Sequence, residues 1–177
     1  QFLLNRMGIE CTYVRGECPG GEGHAWNLMK LEGDYYYVDV TWDDGSNTDK
    51  SKDSGNEICY SFFCITTDEI LRTRNISDAE IYPVCTAKKC NYHYRNGLYF
   101  KTFDADKIKK LLTDAVKKGI KTVQIKCETK ALYDLMYKRM LTHGGARDIV
   151  IEAGGASVES IESPSYTKLH VIIFKIS

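Results

Sequence analysis

Between Cys11 and Trp42 the chain alternates apolar and polar side chains in three short runs, "CTYVRG", "HAWNLMKL" and "YYYVDVTW", with turn residues between each pair. A period of two turns one face of an extended strand toward a core, and a one-residue slip would exchange the faces. Runs of this kind predict a small antiparallel sheet. Gly33 and Asp34 stand where a two-residue hairpin would turn between the second and third runs. That turn sets Leu28 opposite Asp39 and Asp43 opposite His24. His24 and Asp39 then share a face but stand four residues out of register, about 13 Å at roughly 3.3 Å per residue. A bulge, a strong twist or a longer loop is needed to bring them together.

Composition narrows the partners. Of 177 residues 43% are hydrophobic, enough to build real cores, and 24 basic side chains balance 24 acidic ones. No bulk field draws such a chain to nucleic acid or to an anionic membrane. No apolar run approaches the roughly 18 residues of a membrane span. The opening "QFLLNRMG" reads as the end of an amphipathic helix stopped by Gly8, so the sequence is expected to be a fragment. Seven cysteines form no CxxC, which leaves zinc-ribbon and thioredoxin motifs unsupported, and neither a metal nor a cofactor is expected. Local disulfides, Cys11 with Cys18 or Cys85 with Cys90, and buried free thiols are both open readings.

Residues 43–56 are rich in glycine, serine, asparagine and aspartate and read as a loop. Asp49, Ser51 and Asp53 alternate there as in a calcium loop, yet Ser54 stands where an EF-hand needs glycine and Tyr60 where it needs glutamate. "CYSFFCITTDEILRTR" predicts a strand and then a short helix capped by Thr67 or Asp68. Composition shifts after Cys90, dividing the chain into units of residues 1–90 and 91–177. From Leu98 the second unit reads β-α-β-α-β-β. Its first helix is capped by Asp104, carries Ile108, Leu111, Leu112, Ala115 and Val116 on one face, and stops at Gly119. "IKTVQIKC" is a strand. The second helix opens at Glu128 or Thr129, carries Leu132, Leu135, Met136 and Met140, and stops at Gly144 and Gly145; "DIVIEA" and "YTKLHVIIFKIS" close the chain as strands. That order suits a two-layer α+β sandwich with both helices on one face of the sheet.

His24 and Asp39 are two of the three groups of a cysteine-enzyme triad, in which an imidazole takes the thiol proton and a carboxylate holds the imidazole. On neighbouring strands such a pair is more often structural. The catalytic reading gains from the place of His24 at the start of a strand, and from Trp26 and Trp42, which could wall a cleft off from water. Ordinary core is the alternative for both tryptophans. A reactive cysteine gains thiolate character at a helix N-terminus. Cys11 lies in the "CTYV" strand and Cys18 in a Pro19-Gly20-Gly21 turn, so neither fits that role.

The segment "GHAWNLMKLEGDYYYVDVTWDD" resembles the histidine and aspartate strands of the transglutaminase-like superfamily, and "FLLNRMGIECTYVRG" resembles what precedes them there. The resemblance covers residues 1 to about 85. It implies a papain-like core over 1–90 that lacks its nucleophile helix, with the cysteine about eight residues before Gln1 in a GxCxGxA-like context. His24 would be the general base and Asp39 its orienting carboxylate, with Trp26 and Trp42 against substrate. The implied chemistry is acyl transfer through a thioester, from an amide of a protein or peptide to an amine or water. This chain alone would be inactive. A bacterial secreted or surface setting follows from the same likeness, and "CNYHYRNGLYFKTFD" is similar to a C-terminal module of bacterial surface proteins of the family, with no catalytic motif. A non-catalytic surface or binding domain on the same fold is the rival reading. Phe2, Leu3, Leu4 and Met7 could still pack, but the apolar surface bared by the missing helical turns leads to an expectation of either self-association or a marginally stable first unit beside a sturdier second one.

Overall fold

A computed structural model describes residues 1–43 and 58–177. Most of the expected loop, including Asp49, Ser51, Asp53 and Ser54, lies outside the described residues. The protein is mixed α and β, with two sheets, and divides into two compact units, Gln1–Asn96 and Gly97–Ser177. Among the described residues no helix is long and apolar enough to cross a membrane.

The first sheet is antiparallel, in the order β3-β2-β1-β4, built from β1 (Cys11–Glu17), β2 (Gly23–Leu31), β3 (Asp34–Val38) and β4 (Asn75–Ile76). The hairpin turn between β2 and β3 is Glu32–Gly33, one residue earlier than the sequence suggested, because Leu31 pairs with Asp34. Both turn residues have positive φ, 51° and 88°, the geometry of a type I′ turn, and Glu32 adopts it without being glycine. The shift corrects the register. Asn27 pairs with Val38, so by extension Asp39 stands across from Trp26, and the offset between His24 and Asp39 falls to two residues, about 7 Å. No bulge is required, because the chain leaves the sheet after Val38 and winds into α2 (Val40–Asp43).

Gly16 lets the two outer parts of this sheet meet. A Cβ on it would lie 1.9 Å from the Asn75 carbonyl oxygen and 2.6 Å from the Trp26 ring, so only glycine allows β4 to close on β1 over that tryptophan. At the N-terminus α1 (Phe2–Arg6) ends before Gly8. The Asn5 side chain accepts from the Cys11 N–H at 2.8 Å and donates to its carbonyl at 3.0 Å, fastening the helix to β1. Of the four apolar side chains expected to pack, Leu4 joins the core of Cys11, Met29, Tyr36, Val38, Cys64 and Cys90, whereas Phe2, Leu3 and Met7 stay exposed.

Two local expectations fail between Cys59 and Ile70. The strand is replaced by turns, with a single antiparallel bridge from Ile65 to Tyr37. The cap of α3 (Thr67–Ile70) is Thr66, not Thr67 or Asp68. Glu69 lies three residues beyond Thr66 and returns a hydrogen bond to its N–H at 2.9 Å, a capping box that a cap at Thr67 would lack, since Ile70 would then stand at the reciprocal position. The seven cysteines are all free, so neither suggested disulfide is present. The unit ends with α4 (Tyr92–Arg95), tied back by Asn91, whose amide donates to the Phe63 carbonyl at 3.1 Å.

In the second unit β5 (Tyr99–Phe100), β6 (Thr122–Cys127), β7 (Val158–Ile161) and β8 (Val171–Ile176) form a sheet in the order β5-β6-β8-β7. Asp104 caps α5 (Ala105–Lys117), and Thr129, not Glu128, caps α6 (Lys130–Tyr137). "DIVIEA" is not a strand. After a π turn at Lys138–Thr142 and Gly144 at φ 79°, the chain forms α7 (Gly145–Glu152), whose Ala146 and Val150 are four residues apart on the buried face. The last predicted strand also divides, into α8 (Pro164–Leu169) and β8, with His170 at φ 58° turning the corner. The order is therefore β-α-β-α-α-β-α-β. Ile108, Leu112, Leu132, Met136, Ala146 and Val150 form one core with Ile125 and Phe174. Gln124, Lys126, Val171 and Ile173 on the other face of the sheet are buried as well, so the sheet is enclosed on both sides and not on the one side expected.

Candidate functional site

Each member of the expected pair is placed by a strand end. His24 is the second residue of β2, and Asp39 follows the last residue of β3. The Asp39 N–H donates to the Phe62 carbonyl at 3.3 Å, and its own carbonyl accepts from Trp42 and Asp43, which starts α2. The turn directs the carboxylate back across the sheet. His24 Nε2 and Asp39 Oδ2 lie 2.9 Å apart. Read as a hydrogen bond donated to the carboxylate oxygen, this contact places the ring proton on Nε2 and the lone pair on Nδ1; no protein partner binds Nδ1 among the described residues.

The two tryptophans flank this imidazole in different ways. Trp26, two residues along β2, lies 5.9 Å from the His24 ring, and Trp42, on α2, meets it edge-on at 6.5 Å. Trp26 is 3% exposed and packs against Gly16, so it is core beneath the histidine, while Trp42 is 36% exposed. Beside them an open groove of about 720 Å3 is lined by Tyr13, Arg15, Glu17, His24, Thr41 and Ser77. Its small floor comes from Gly16, Gly23 and Ala25.

Sequence reasoning missed Arg74. Its Nη2 donates to the same Asp39 Oδ2 at 3.0 Å, and both side chains are essentially inaccessible, at 0% and 1%. Nη1 donates to the Thr73 carbonyl at 2.9 Å, and the guanidinium carbon sits 4.6 Å from the Trp42 ring centroid and 4.7 Å from that of Phe62. No local pattern marks this arginine, which is 35 residues from its partner. The tertiary cause is that it immediately precedes β4, which Gly16 allows onto β1.

Cys18 is the thiol that feels the charges of this site. It sits in a tight turn, donating its N–H to the Glu22 carbonyl at 2.8 Å, and the Gly21 N–H donates to its own carbonyl at 3.1 Å. Burial pushes the thiol up; Arg74 works against the rise, and Asp39 and Glu22 reinforce it. Burial also drives Cys64 up to about 12 and raises Cys85. All seven cysteines are buried, and Cys11 lies within β1, away from any helix N-terminus. Nucleophilic activation needs the opposite shift. Among the described residues no group of three or more histidine, cysteine, aspartate or glutamate side chains is arranged to hold a metal ion.

No protein-family model matches the chain, and no curated protein matches it either.

Proposed function

We propose that the first unit is the histidine–aspartate part of a thiol acyl-transfer site, with the transglutaminase-like, papain-type architecture that its sequence resembles. The observation that carries this reading is the 2.9 Å bond from His24 Nε2 to Asp39, which leaves Nδ1 open as a base. The thiol would come from a cysteine ahead of Gln1, since the cysteines of this chain are buried and Cys18 is shifted away from thiolate. His24 takes the proton of that thiol as sulfur attacks an amide carbonyl, then gives it to the departing amine as the C–N bond breaks. A thioester remains. An amine or water then attacks it, with His24 again removing the proton, and the thiol is regenerated. Trp42 shields the imidazole on one side, and the open groove beside His24 is where a segment of a protein or peptide substrate would lie. The second unit carries no role in this chemistry. A secreted or cell-surface setting accompanies the reading.

The rival is a binding domain that keeps the fold and uses the groove beside His24 for ligand. The test is to express the chain with its natural upstream residues and measure amine incorporation into, or ammonia release from, a glutamine peptide. Activity abolished by His24→Ala is expected, with none from residues 1–177 alone. No upstream cysteine, or full activity without His24, would remove the enzymatic reading and favour the binding domain.

A further inference from the structure

We infer that Arg74 is a positioning residue for the histidine–aspartate pair: it selects the carboxylate oxygen that His24 uses and fixes the rotation of the buried Asp39 side chain. This rests on the acyl-transfer reading of the site.

A carboxylate as buried as Asp39 protonates or is lost to solvent unless a cation accompanies it. Arg74 supplies that charge through Nη2, and it is held from three sides, by the Thr73 carbonyl on Nη1 and by the rings of Trp42 and Phe62. Both donors converge on one oxygen, His24 at 2.9 Å and Arg74 at 3.0 Å. The other oxygen, Oδ1, is buried and has no hydrogen-bond partner among the described residues. With two donors on Oδ2 and none on Oδ1, the carboxylate has one preferred rotation, and that rotation presents Oδ2 to the imidazole. The same two contacts set two positive charges on one oxygen once His24 is protonated.

A lysine cannot reproduce this. Its ammonium has no planar face for Trp42 and Phe62, and its single nitrogen cannot stand at both the Nη1 position facing Thr73 and the Nη2 position facing Asp39.

The readout is the Nε2–H proton of His24 in 15N-resolved spectra of the 177-residue chain, whose exchange with water is slowed by the bond to Asp39. In Arg74→Gln it should exchange on the order of ten-fold faster, as expected for a loosened hydrogen bond. Arg74→Gln leaves the buried carboxylate without its ionic partner, so amide protection at Met29 and Tyr36 should fall as well, whereas in Arg74→Lys, which keeps a charge there, it should be little changed. Arg74→Lys, which keeps the charge, should lose the slow proton too, and guanidinium added to Arg74→Ala at concentrations far below those that unfold proteins should restore it where potassium does not. A slow proton unchanged in Arg74→Lys, or loss of the strand amides in Arg74→Lys to the same degree as the ring proton, overturns the positioning role and leaves the acyl-transfer reading standing. If the unsubstituted chain carries its ring proton on Nδ1, both fall.

Discussion

Replacing Asp39 by alanine should destabilise the first unit far more than the loss of one side chain would suggest. The carboxylate and its partner Arg74 are almost fully removed from water, so the substitution strands a guanidinium whose Nη2 has lost its acceptor. Removing one member of a buried pair costs about 3–5 kcal/mol, a large part of the roughly 5–15 kcal/mol that holds a domain folded. Removing both charges is different. Asp39→Ala combined with Arg74→Met fills the space between Trp42 and Phe62 with an apolar chain and should recover most of the loss. Native-state hydrogen exchange reads the two units separately. Amides of Met29 and Tyr36 should exchange on the order of a hundred- to a thousand-fold faster in Asp39→Ala, whereas those of Ile125 and Phe174 in the second unit should hold their rates. A cost below about 1 kcal/mol, or a double variant no better than the sum of the single ones, would refute a desolvated pair.

Gly16→Ala should cost about 1–3 kcal/mol by urea unfolding, because the new methyl meets the Asn75 carbonyl at 1.9 Å and β4 must move off β1. Burial pushes the Cys127 thiol up to about 12, so the folded second unit favours the neutral form. That contribution is complete below about pH 9 and is lost as the pH rises toward 12, on the order of 4 kcal/mol in all, and Cys127→Ala should flatten this part of the alkaline unfolding curve. Thiol titration should find seven reactive groups after unfolding and far fewer before, since all seven are free and buried; a lower total in denaturant would indicate a disulfide.

The shared face of His24 and Asp39 was legible because strand alternation is insensitive to an even slip: moving the turn from Gly33–Asp34 to Glu32–Gly33 changes the register by two and keeps the face. The distance was not legible, because it depended on Glu32 accepting a left-handed conformation that sequence preference assigns to glycine. "DIVIEA" misled for a related reason. Its β-branched residues favour a strand locally, while the spacing of Ala146 and Val150 against the core of α5 and α6 decides for a helix. Thr66 could have been found, since the reciprocal Glu69 is visible in the sequence. Arg74 could not, because its pairing exists only after β4 has closed on Gly16.

The reactivity of the cysteine proposed ahead of Gln1 tests the assignment of His24 as its base most directly. In a chain carrying its natural upstream residues, a mild alkylating agent should modify one cysteine ahead of Gln1 much faster than any of the seven within residues 1–177, and His24→Ala should slow that cysteine to the rate of an ordinary thiol. Preferential labelling of Cys18 that depends on His24, or an upstream cysteine indifferent to His24, would contradict it.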